Sequence, residues 1–178
     1  MLYLSLGSQP VLSSVLKDCN LNTNSMLLDN VGEYSFETLI ENLKNNFNNF
    51  FPPENQIKVY GGVVNIVNGT PYTIVKDERN GTLFYDVLPL GKKLSTIYNG
   101  AKTKYERLAL DFTKTIQNTS SAIFIRQMID DNDKDTIELS DTLKYVYPAC
   151  KFYLKHRYAG IQLNKCYDYW KQELCGGI

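Results

Sequence analysis

The chain has 178 residues, 19 basic and 19 acidic side chains and no net charge. One domain is the natural expectation for that length, able to bury roughly 70% of its unfolded surface, and a balanced charge excludes the cationic excess that broad binding to nucleic acid or anionic membrane needs. Its four cysteines form no C-x-x-C pair, which argues against a structural zinc, and no apolar run approaches the roughly 20 residues of a transmembrane helix.

From the N-terminus, Leu2, Leu4 and Leu6 form an apolar strand running into Gly7-Ser8, and Pro10 then opens a helix with Val11, Leu12, Val15 and Leu16 on one face. A glycine-containing strand-to-helix turn suits a nucleophile or a bound anion, because a helix N-terminus offers unpaired N–H groups and a positive dipole end. Cys19 falls on the apolar face of that helix and is expected in the core. Ser35 is a good N-cap residue. Phe36, Leu39, Ile40, Leu43, Phe47 and Phe50 then recur at helical spacing until Pro52-Pro53 ends the element.

From Ile57 the period changes to two. Asn68-Gly69 and Asn80-Gly81 are hairpin signals, since a type I′ turn needs positive φ at both central residues, so residues 57 to 88 read as an antiparallel meander. A long helix, Lys92 to Gln117, carries Leu94, Ile97, Tyr98, Ala101, Tyr105, Leu108, Phe112 and Ile116 as one stripe, with Gly100 in its middle. Lys92, Lys93, Lys102 and Lys104 read as a solvated face. Ser121 to Arg126 is a short apolar run typical of a buried parallel strand. Asp131, Asp133 and Asp135 read as an acidic loop: Thr136 and Thr142 stand where a calcium loop needs Gly and Glu. A helix over about Ser140 to Tyr147, a third core strand from Cys150 to Leu154 and a terminal helix with Cys166, Tyr169, Trp170 and Leu174 complete the chain.

The expected fold is α/β over residues 1–178 as a single domain: a mixed sheet with a parallel centre, helices on both faces and an antiparallel meander insertion. The alternative is a papain-like α+β arrangement.

His156 is the only histidine and bounds every imidazole mechanism. A Ser8–His156 pair completed by Asp29 or Asp86 would give acyl-transfer chemistry, although the G-x-S-x-G elbow is absent. Asp29 follows three apolar residues, and Arg126 ends an apolar strand. A buried arginine needs a carboxylate or phosphate partner, so Asp29 and Arg126 are expected to pair, or to form with Gly7, Ser8 and Arg107 a site for an anionic ligand.

The order of Ser5-Leu6-Gly7, Ser25-x-x-x-Asp29, an Asn- and Phe-rich helix ending near Phe50-Phe51, Phe84-Tyr85-Asp86, Lys104-Tyr105-x-Arg107, Phe124-Ile125-Arg126 and a late Trp170 resembles a family of uncharacterised bacterial and large-DNA-virus proteins described as papain-like cysteine peptidases. That resemblance implies a cysteine where Pro10 stands and a histidine where Tyr85 stands. A thiolate and its imidazole base are both essential to that chemistry, and neither Pro10 nor Tyr85 can supply them.

The resemblance therefore implies a catalytically silent relative, a binding or host-interaction protein with a protein partner. The competing expectation is an active hydrolase using Ser8 and His156, or an acid/anion site of Asp29, Tyr85, Asp86 and Arg126. No cofactor, metal, nucleic-acid or membrane partner is expected. The location expected is cytoplasmic, with reduced thiols. The richness in Asn, Lys, Tyr and Ile is what an AT-rich genome imposes, which fits a virus or an AT-rich microbe.

Overall fold

The computed structural model describes residues 2–7, 11–21, 26–32, 35–67, 69–128, 133–158 and 163–176. In chain order these form β1 (Leu2–Ser5), α1 (Val11–Asp18), β2 (Val31–Gly32), α2 (Phe36–Lys44), a 3-10 turn (Glu54–Gln56), β3 (Ile57–Val67), β4 (Thr70–Asp77) and β5 (Leu83–Pro89). They continue with α3 (Leu94–Gln117), β6 (Ser121–Met128), α4 (Asp133–Val146), β7 (Lys151–Tyr158) and α5 (Leu163–Cys175). The architecture is mixed α/β, as expected. Its strands divide into a three-stranded parallel sheet, β1-β6-β7, and a four-stranded antiparallel sheet, β2-β5-β4-β3.

The meander thus forms a sheet of its own, extended by the two-residue β2, in which Val31 pairs with Phe84. So short a strand carries no periodicity for a sequence to reveal. In the parallel sheet β6 is central, pairing Leu4 with Phe124 on one side and Phe124 with Leu154 on the other.

Alternation along β6 divides the interior in two. Ala122 and Phe124 join the larger core with Leu4, Leu6, Phe47, Phe84, Tyr105, Phe112 and Ile116. Ile123 and Ile125 face the other way, onto Leu12, Val15 and Leu16 of α1 and Trp170 and Leu174 of α5.

Ser35 caps α2 as its sequence position indicates, its hydroxyl accepting from Thr38 N–H at 3.2 Å. The helix ends six residues before Phe50, however. Asn46, Phe47 and Asn49 all take positive φ, between 56° and 58°, and this left-handed stretch breaks the expected continuous stripe. Asparagine tolerates that region readily. Phe47 is held there by edge-on packing with Phe50 and Phe112, ring centroids 5.5 and 5.2 Å away. Arg79 fixes the same segment from outside: it forks onto the fully buried Asp77, the closest N–O distance being 2.7 Å, and donates to the carbonyls of Asn49 and Phe50. The aromatic residues are core as expected, but they reach it from a left-handed turn.

Three other expectations change. The Asn80-Gly81 turn is a five-residue loop with positive φ at Gly81 alone, closed by Asp77 N–H to Thr82 C=O at 2.9 Å. Asp133 and Asp135 belong to the start of α4 rather than to an acidic loop; carboxylates suit the positive end of a helix dipole. Cys19 is bonded to Cys175 rather than reduced, with Cα atoms 5.5 Å apart, because the ends of α1 and α5 meet. Ser8, Pro10 and Asp131 lie outside the described residues. Among those described, no helix is long and apolar enough to cross a membrane.

Gly100 lies exposed within α3, and a methyl group there would meet nothing within 4 Å. Gly100→Ala should therefore raise stability by about 1 kcal/mol in urea unfolding.

Candidate functional site

Between α1, α3 and one face of the antiparallel sheet lies a cleft of about 440 Å³. Lys17, Asn30, Tyr72, Asp86, Lys104 and Arg107 supply its polar lining; Met26, Leu27, Val67 and Leu108 supply apolar wall. That volume falls within the range of small-ligand sites.

The 26–32 segment ties the parts together. The Ser13 hydroxyl of α1 donates to the Asp29 carbonyl at 3.1 Å, and the Asn30 carbonyl accepts from Tyr85 N–H at 3.0 Å. One short stretch thus sets the spacing between the first helix and β5.

Asp86, on β5, is the polar centre of the cleft. One carboxylate oxygen accepts from the Tyr105 hydroxyl at 2.7 Å; the other accepts from Lys104 Nζ at 2.6 Å and from the Asn30 side-chain amide at 3.1 Å. Lys104 is thus an ion-pair partner at the cleft as well as part of a solvated helix face. Tyr105 is 1% exposed, stacked on Phe51 at 5.2 Å and edge-on to Phe84 at 5.0 Å. Burial, followed by the Asp86 charge and hydrogen bond, pushes its phenol well above the ordinary tyrosine value, so Tyr105 stays protonated and donates to Asp86.

Asp29 is 2% exposed behind the cleft. Its carboxylate accepts from Met26 N–H at 3.0 Å and stands 4.0 Å from Lys17 Nζ. Burial raises its pKa above 3.8, and the Asp86 charge adds to the rise. The Met26 hydrogen bond and the Lys17 charge act in the opposite direction.

A carboxyl with a raised folded pKa favours the folded state while protonated, and that contribution is lost as pH rises through the folded value. Asp29→Asn should accordingly gain stability on wild type as pH increases from about 3.8. Urea unfolding at acid and neutral pH measures the difference; a gap independent of pH would contradict it.

The residues singled out from the sequence fall into two groups. Asp29, Asp86 and Arg107 belong to the cleft region. Tyr85 borders it through its backbone, its carbonyl accepting from the Asn65 amide at 3.4 Å. Gly7 and Arg126 instead stand at the carboxyl end of the parallel sheet. Gly7, at φ 76°, needs the left-handed region that glycine occupies freely. Arg126 is 1% exposed and donates to the Leu6 carbonyl at 3.4 Å.

The expected Asp29–Arg126 ion pair is not formed. Asp29 has Lys17 as its cationic neighbour, because the turn carrying it packs against α1. Ser8 lies outside the described residues. His156 is paired through its backbone position with Arg126 on the neighbouring strand, and its side chain is likewise outside the description.

Sequence reasoning missed Lys17, Asn30, Tyr72, Lys104 and Tyr105 as cleft residues. For Lys104 and Tyr105 a signal existed in the Lys-Tyr-x-Arg run. Lys17, Asn30 and Tyr72 carried none.

None of the four cysteines lines the cleft. Cys19 and Cys175 are joined, and Cys150 and Cys166 are buried thiols. Burial raises the Cys150 thiol above its ordinary pKa, the opposite of what activates a nucleophile.

Fold and cleft together define a mixed α/β protein whose polar site is organised around a carboxylate satisfied by lysine, tyrosine and asparagine. The chain belongs to the family described as "Putative papain-like cysteine peptidase", whose model matches residues 1–149. The match takes in every element lining the cleft and ends before β7 and α5. No curated protein and no solved structure matches the chain.

Proposed function

We propose that this chain is a member of its family that does not use thiol chemistry and that acts as a binding protein, engaging a ligand or partner through the cleft. The observation that carries the reading is that the three hydrogen bonds to the Asp86 carboxylate come, among the described residues, from phenol, ammonium and amide donors and none from an imidazole. A carboxylate that orients a catalytic imidazole needs an oxygen directed at that ring, whereas Asp86 gives its oxygens to Tyr105, Lys104 and Asn30. The absence of a cysteine from the cleft lining supports the same reading, as do Pro10 and Tyr85 at the positions where the resemblance implies Cys and His.

The test is incubation of the protein with a fluorogenic peptide library, with and without iodoacetamide. The expected result is no alkylation-sensitive cleavage; cleavage abolished by iodoacetamide overturns the reading.

A second reading assigns acid–base chemistry to Asp29 beside Asp86, and the raised Asp29 pKa favours it. It is the weaker of the two, because Asp29 is buried behind the cleft wall. Hydrolysis of small acyl esters that survives alkylation and disappears in Asp29→Asn would establish it over the first.

A further inference from the structure

Three cationic side chains line the cleft, and they are unequally matched. Lys104 is neutralised by Asp86 at 2.6 Å. Lys17 stands 4.0 Å from Asp29, at the outer limit of an ion pair. Arg107, one turn beyond Lys104 on α3, is exposed and has neither an ion pair nor a hydrogen bond among the described residues. Among the described residues the cleft lining, with Lys17, Lys104 and Arg107 against Asp86, therefore carries more positive than negative charge, although the whole chain carries none.

A guanidinium is a planar fork of donors suited to two oxygens of one carboxylate or phosphate. Tyr72, Met26, Val67 and Leu108 provide aromatic and apolar wall beside it. A cavity of about 440 Å³ has room for a small body behind such a head.

Resting on the binding reading above, we infer that the cleft takes a small molecule with one oxyanion head, carboxylate or phosphate monoester, and an apolar or aromatic body. Arg107 grips the head by its fork. Lys17 contributes charge from the last turn of α1, while Tyr72 and Leu108 contact the body. Lys104 contributes less, because its ammonium is already held by Asp86.

The probes are phenyl phosphate, benzoate and uncharged benzyl alcohol, titrated into the full chain and followed by calorimetry at low and at physiological salt. Either or both anions should bind while benzyl alcohol does not, and comparing the two anions identifies the preferred head. Arg107→Gln should weaken anion binding at least about tenfold, since it removes the charge and the two-pronged grip and leaves at most one neutral amide hydrogen bond. Lys17→Gln should weaken it less.

Lys102→Gln is the control: Lys102 lies on the same helix, 3.9 Å from Glu106 and outside the cleft lining, and its loss should leave affinity unchanged. Equal losses in Lys102→Gln and Arg107→Gln would reduce the effect to general surface charge and overturn the inference. Failure of both anions to bind would overturn it too. Binding of benzyl alcohol alone overturns the anionic head yet leaves the cleft a binding site. Failure of the wider reading is seen separately, as alkylation-sensitive peptide cleavage.

Discussion

Asp86→Ala is expected to destabilise the fold by about 2–3 kcal/mol, most of it from leaving the buried Tyr105 hydroxyl without an acceptor. Tyr105 is 1% exposed and cannot turn its phenol to water without leaving its stack on Phe51. Lys104 adds little to the cost, since its side chain is 38% exposed and can re-solvate. Asp86→Asn keeps an acceptor for the hydroxyl and should lose only about 1 kcal/mol.

The decisive measurement is a double-mutant cycle with Tyr105→Phe. A coupling of about 1–2 kcal/mol in urea unfolding identifies Asp86 as a structural anchor of the cleft, whereas strict additivity would contradict the assigned contact. The same variants bear on function. If Asp86 serves to neutralise Lys104, Asp86→Asn frees a cation, and phenyl phosphate should bind about threefold more tightly. A catalytic or ligand-gripping Asp86 would change affinity or activity the other way.

Trp170→Ala should have the larger effect on stability, about 4 kcal/mol, as expected for deleting a buried aromatic side chain. Trp170 is 1% exposed among Leu12, Val15, Leu16, Ile123 and Ile125, and its indole N–H donates to Gln127 Oε1 at 2.7 Å. For a domain of this size that loss corresponds to a fall in Tm of about 10 °C.

Trp170→Phe separates the two contributions. It retains most of the packing, so its cost should be about 1–2 kcal/mol, reflecting the lost hydrogen bond and part of the ring volume. If alanine and phenylalanine cost the same, packing between α1, α5 and the parallel sheet is not what holds this layer. Cys19–Cys175 joins the ends of the same two helices across 156 residues of sequence. Reduction should therefore lower the stability of wild type and of Trp170→Ala alike, because the covalent link limits the freedom gained on unfolding in both. The β7–α5 segment lies beyond the family match, yet α5 covers the apolar face of α1, whose last turn carries Lys17 into the cleft. Stability of this outer layer and presentation of Lys17 are thus linked through one helix.

The helices and long strands were legible because burial repeats at fixed spacing. The α3 stripe is apolar every three or four residues, and Ala101, Tyr105, Phe112 and Ile116 are buried as that spacing requires. The Ser121 to Arg126 run is the central parallel strand because apolar residues on both faces meet separate cores. Where periodicity fails, legibility ends. The left-handed residues after α2 depend on Arg79, some thirty positions away, donating to the Asn49 and Phe50 carbonyls, and a helical window cannot contain that information. Neither can it contain β2, whose two residues are a strand only because Phe84 and Leu83 lie alongside.

The candidate site divides in the same way. The sequence by itself determined the inventory: one histidine, four cysteines without close spacing, and Asp29, Asp86, Arg107 and Arg126 as charged residues beside apolar runs. It also carried the family resemblance, through the order of short motifs along the chain. Which of those charges meet was decided only by tertiary structure. Asp29 meets Lys17 and not Arg126, Asp86 meets Lys104 and Tyr105, and Cys19 meets Cys175. The physical reason is range: hydrophobic spacing acts within one element and is written in consecutive residues, whereas ion pairs, hydrogen bonds and disulfides act over a few ångströms between elements that only the packed fold brings together.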